Sequence, residues 1–108
     1  MNKISYEERA KVYADALSTF GPNKQLVKAL EELTEVKLEI LRALDGRASM
    51  AHIAEEVADA TIMLEQVRQI FNINEEVCDM MDQKIARLAF RVEDAKKKQA
   101  FIRSVFDN

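Results

Sequence analysis

Apolar positions recur at helical spacing in four stretches of the chain. In the first, Tyr6, Ala10, Tyr13, Leu17 and Phe20 follow one another at steps of four and three, which puts them on one face of an α-helix. Ser5 stands ahead as an N-cap with Glu8 three residues on, a capping-box pattern, and Gly21-Pro22 ends the segment. A second helix is predicted from about residue 24 to about residue 44. Its apolar face carries Leu26, Leu30, Leu33, Ile40 and Leu44, and Asp45-Gly46 closes it as a glycine C-cap. The third helix starts after the N-cap Ser49 and buries Ile53, Val57, Ala60, Leu64, Val67 and Phe71. After a break at Asn72-Ile73-Asn74, a fourth opens on Glu75 and Glu76, which suit the positive end of a helix dipole. Its stripe is Cys78, Met81, Ile85, Leu88, Val92 and Ala95; it weakens at Lys96-Lys97-Lys98 and returns at Ile102 and Phe106. The short link between the second and third helices predicts an antiparallel pair.

Composition agrees with this reading. Two glycines and one proline leave little material for the turns that strands require. The expected fold class is all-α, a four-helix bundle-like subunit formed by one domain over residues 1–108. Four apolar stripes are more than a bundle of this size can cover, so a homodimer or homotetramer is expected, with the first helix and the end of the fourth at the interface. The chain has 16 basic and 19 acidic residues, which argues against a nucleic-acid partner. Cys78 is its one cysteine, so no disulfide can form within the chain; it is expected to be a small core residue. No apolar run is long enough to cross a membrane, and the opening residues lack the apolar stretch of a signal peptide. The expected location is the cytoplasm.

Two acidic groups change the picture. Glu32 and Glu35 lie three residues apart on the second helix, and Glu56 and Asp59 lie three apart on the third, so each pair shares a face. With the hairpin turn centred near Arg47, Glu35 and Asp59 sit at equal distances from it along the two helices. If the faces meet, four carboxylates converge. Like charges so placed oppose one another, and a hard divalent cation such as Mg²⁺ removes the conflict while leaving room for phosphate oxygens. Glu56 also borders the apolar stripe, where a carboxylate requires a partner. A rival group, Glu76, Asp79 and Asp82, is accounted for by the fourth helix's dipole.

Lys84, Arg87 and Arg91 recur at i, i+3 and i+7 on the fourth helix, beside its stripe. They form either a solvated face or a grip on a polyphosphate. A carboxylate-bridged di-iron bundle is excluded by its ligands, because it needs Glu-x-x-His elements and the one histidine, His52, has Ser49 three residues before it. His52 itself reads as a surface or capping residue.

The string Gln25…Glu31-Glu32-Leu33-Thr34-Glu35, followed by Glu56-Val57-Ala58-Asp59, resembles the EExxE…ExxD signature of MazG-like all-α nucleotide pyrophosphohydrolases. Lys84-Ile85-Ala86-Arg87-Leu88 looks like the basic element those proteins carry on the next helix. The resemblance implies an α-helical bundle completed by oligomerisation. It also implies Mg²⁺-dependent hydrolysis of a nucleoside triphosphate to the monophosphate and pyrophosphate, with Mn²⁺ able to substitute. Glu32, Glu35, Glu56 and Asp59 would match the metal positions, and Lys84, Arg87 and Arg91 would hold phosphates. Gln25 would touch the base or sugar. Glu31 would stand behind the ligands or activate water, and Glu35 would share in catalysis. The alternative is a non-catalytic helical adaptor or a nucleotide sensor.

Overall fold

A computed structural model describes residues 3–107, and among these every regular element is an α-helix. They are α1 (Tyr6–Phe20), α2 (Pro22–Leu44), α3 (Met50–Ile70) and α4 (Asn74–Phe106). The chain divides into two compact units, the first ending at Ile73 and the second starting at Asn74. In the first unit α2 and α3 form the main pair, and α1 packs on both.

The helix ends follow from local chemistry. Ser5 Oγ accepts the Glu8 N–H and Ser49 Oγ accepts the His52 N–H, each at 3.1 Å. Pro22 opens α2 two residues ahead of the expected start, since its fixed φ suits the first helical turn. Both α2 and α3 close with the same device. Gly46 (φ +72°) donates to the Ala43 carbonyl while Arg47 donates to that of Arg42. Likewise Asn72 (φ +54°) donates to Gln69 while Ile73 donates to Arg68. This is the Schellman arrangement, in which one residue enters left-handed space so that the last carbonyls find donors. Glycine does so without steric cost, and asparagine is among the few other residues that tolerate it.

The buried face differs from the expected one. The side chains buried in the α2–α3 pair are Gln25, Ala29 and Glu39 on α2 and Ala60, Met63 and Gln66 on α3. Leu30, Ile40 and Leu44, assigned to the core, are exposed, as are Val57, Leu64 and Phe71. On α2 the expected stripe lies one residue, about 100°, around the helix from the covered face; on α3 Ala60 is buried and Ile53 and Val67 are half-buried as expected, and only Val57, Leu64 and Phe71 fall outside the covered face. The cause is that α2 carries a continuous apolar edge beside its polar one, and α3 meets the polar edge.

On α1 only the middle of the stripe is covered. Tyr13 and Leu17 are half-buried, while Tyr6 and Phe20 are exposed. Taken by itself, α4 is one uninterrupted helix of 33 residues with no buried side chain. Its lysine run does not break it, because lysine is a good helix former. Cys78, expected in a core, is exposed, as are Met81, Ile85, Leu88, Val92, Ile102 and Phe106. A single helix has nothing of its own with which to cover such a stripe. Among the described residues, no helix is long and apolar enough to cross a membrane.

Candidate metal centre

Positions seven residues apart return to almost the same side of a helix. On α2 those facing α3 are Gln25, Glu32 and Glu39; on α3 those facing α2 are His52, Asp59 and Gln66. Running antiparallel, the helices stack them as three polar layers. Gln25 and Gln66 line one narrow cleft with Tyr13, Leu17, Gln69 and Ile70. Glu32 and Asp59 meet in the middle. Glu39 and His52 meet nearest the hairpin turn.

The middle layer is the acidic one. Glu32, Glu56 and Asp59, all half-buried, each offer one carboxylate oxygen within 4.8 Å of the other two. Desolvation pushes the Glu56 carboxyl above its ordinary value; the neighbouring charges of Glu35, Asp59 and Glu32 push the same way, and His52 opposes them. Lys28, one turn before Glu32 on α2, reaches in from solvent. Its Nζ lies 2.9 Å from Glu32 Oε1 and 3.7 Å from Glu31 Oε2. The hydrogen bond and charge of Glu32 hold the Lys28 ammonium above its usual pKa.

Three of the four carboxylates chosen from sequence thus share one spot. Glu35 is exposed and lies beside the trio rather than in it, in a shallow groove with Val27, Leu30, Glu31 and Thr34. The expected pairing of Glu35 with Asp59 is off by three residues, because Asp59 meets Glu32. The hairpin is not symmetric: Gly46 turns the chain at the end of α2, and Ser49 is extended ahead of α3. The extended link sets α3 almost one turn along its partner.

Gln25 is buried under α1 with an exposure of 8%. Lys84, Arg87 and Arg91 are exposed residues of α4, and their i, i+3, i+7 spacing keeps them along one side of it.

Sequence reasoning passed over Lys28 and Glu39, and read His52 as a surface or capping residue, whereas its ring lies between Glu39 and Glu56. Glu39 is the largest fully buried side chain, with an exposure of 2%. Its Oε2 accepts from Arg42 Nη1 at 3.0 Å and its Oε1 lies 3.1 Å from His52 Nδ1. The other ring nitrogen, Nε2, is 3.3 Å from Glu56 Oε1. The signal that would have found Glu39 is its place seven residues after Glu32.

The donors of the middle layer are all carboxylate oxygens, the set that a hard divalent cation prefers. No family model, curated protein or solved structure matches this chain.

Proposed function

We propose that this protein is a metal-dependent nucleoside triphosphate pyrophosphohydrolase of the MazG-like kind, releasing pyrophosphate and a nucleoside monophosphate. The observation that carries the reading is the meeting of Glu32, Glu56 and Asp59 within 4.8 Å across an antiparallel helix pair. A helix pair that places three carboxylates where apolar side chains would serve stability better has a use for them. With Glu35 beside them, these residues would hold Mg²⁺, or Mn²⁺ in its place. An ion there supplies charge neutralisation for the phosphates.

The remaining roles fall to the chain's own groups. Glu31 or Glu35, at the solvent side, takes a proton from the attacking water. Lys84, Arg87 and Arg91 grip phosphate oxygens, the arginines as forks. Gln25 contacts the base or sugar. Lys28 neutralises Glu32 before a cation arrives and becomes available to phosphate afterwards. The exposed leucines and isoleucines of α2 and α3 support a homodimer or homotetramer, since apolar area on this scale is covered in stable proteins.

Those same surfaces favour one other reading, a helical adaptor without catalysis. The discriminating experiment is a panel of nucleoside and deoxynucleoside triphosphates incubated with Mg²⁺ or Mn²⁺, scored by pyrophosphate release from wild type and Asp59→Asn. Release by wild type alone supports the hydrolase. An inert wild type that also fails to bind Mn²⁺ supports the adaptor.

A further inference from the structure

We propose that Glu39 is a positioning residue that acts through His52 to hold the Glu56 carboxylate in place for a cation; this rests on the metal-centre reading above. Glutamate is among the residues least often fully buried, yet Glu39 has an exposure of 2%. Arg42 alone does not account for this, because its guanidinium lies partly in solvent and could meet the same carboxylate there.

The inward oxygen of Glu39 has a specific partner. His52 Nδ1 lies 3.1 Å from it, within ion-pair distance. The ring thus lies between two carboxylates, with Nε2 3.3 Å from Glu56 Oε1, one turn along α3. The four side chains Arg42, Glu39, His52 and Glu56 form one line from the surface to the acidic layer.

Glu56 has reason to need such a tie. Glu32, Glu35 and Asp59 surround it with like charge, and a glutamate side chain has three torsions with which to swing away. A carboxylate offers about four lone-pair sites, so one contact to Nε2 leaves the rest for a cation. Orienting partners behind metal ligands are worth roughly ten- to a hundredfold in metal affinity.

The test is Mn²⁺ affinity, read from the free-ion EPR signal, for wild type, His52→Ala, Glu39→Gln and the double variant, each repeated in a Glu56→Gln background. Each single change should weaken Mn²⁺ binding roughly tenfold. The double variant should be little worse than either single one, since both cut the same line. In the Glu56→Gln background neither should matter. Glu39→Gln keeps the shape of the side chain, so it carries the test if His52→Ala unfolds.

Unchanged affinities in a wild type that does bind Mn²⁺ overturn this inference and leave the metal centre standing. So do losses that persist at full size without Glu56, which would mean that Glu39 and His52 merely fasten the helix ends together. A directly bonded ¹⁴N coupling to Mn²⁺ in pulsed EPR also overturns it, because His52 would then be a ligand. A wild type that binds no Mn²⁺ removes the metal centre and this role with it.

Discussion

The seam between α2 and α3 and the outer flanks of the same helices are built the wrong way round for a stable hairpin. The seam holds Gln25, Glu32, Glu39, Glu56, Asp59 and Gln66, relieved by Ala29, Ala60 and Met63. The flanks hold Leu30, Ile40, Leu41, Ile62 and Leu64, all exposed. Apolar burial is the main favourable term in folding, so a pair that hides amides and carboxylates while showing leucine draws little of its stability from that contact. The difference separates two tasks. On the proposed reading, the seam serves chemistry and the flanks serve assembly with a second copy.

The strongest way to break this division is to disarm the seam. Asp59→Asn should lower pyrophosphate release by about a thousandfold or more, the effect of losing several kcal/mol of charge stabilisation. The protein should remain folded by circular dichroism, and its melting temperature without metal should hold or rise, because repulsion within the trio is relieved. Glu35→Gln, beside the trio rather than in it, should cost less.

The next experiment asks whether the division extends to α4. Lys84→Ala and Arg87→Ala should each lower kcat/KM by roughly ten- to a hundredfold, similarly for every base, while leaving Mn²⁺ affinity unchanged. Near-normal turnover in both would make that face a merely solvated one.

Charging the flanks is the reciprocal test. Leu30→Glu with Leu64→Glu should reduce the mass found by light scattering to that of one chain at micromolar concentration. A leucine fully buried in an interface contributes about 1.5–3 kcal/mol, so the pair shifts dissociation at least tenfold. An unchanged mass would clear this surface of any part in assembly.

Acidity sharpens the comparison further. The Glu56 pKa is raised in the fold, so the folded state retains a proton that the unfolded chain has already released. Stability at this site is therefore full below the ordinary carboxylate range and falls as pH rises through the raised value. A metal-free melting series should show that decline, and Glu56→Gln should flatten it. Tyr13 does the same at the alkaline end. Burial, then its hydrogen bond to Glu65, push it up to about 12. Its contribution is complete below pH 10 and is lost as pH climbs toward 12. Tyr13→Phe should remove that alkaline step.

The smallest effect is expected far from the seam. Ser5→Ala removes the N-cap of α1 and should cost about 1 kcal/mol, with turnover unchanged.

The helix ends were legible in the sequence because capping is a local matter. Ser5, Gly46, Ser49 and Asn72 act on residues within a turn of themselves, while Pro22, read as part of a break, opens α2 instead. The faces were not. On α2 the run Leu26, Leu30, Leu33 lies one residue from Gln25, Ala29, Glu32, and which edge is covered depends on the partner. The carboxylate trio could be found because each i, i+3 pair keeps two carboxylates on neighbouring parts of one face, so that Glu32 of the first pair and both members of the second reach the seam. Its register could not, because the extended link before α3 left no mark in periodicity. Glu39 escaped notice because nothing in its immediate neighbourhood, Leu38-Glu39-Ile40, sets it apart from a solvated glutamate.

The seven-residue spacing of the polar layers restricts how the two helices can change over generations. Inserting one residue between Glu32 and Glu39 would turn everything beyond it by about 100°. Glu32 would still face Asp59, but Leu38 would arrive opposite His52. A deletion would do the same in the other sense. Length variation inside α2 or α3 should therefore survive only in whole sevens, while the link around Asp45–Arg47, which holds no layer, can gain residues at little cost.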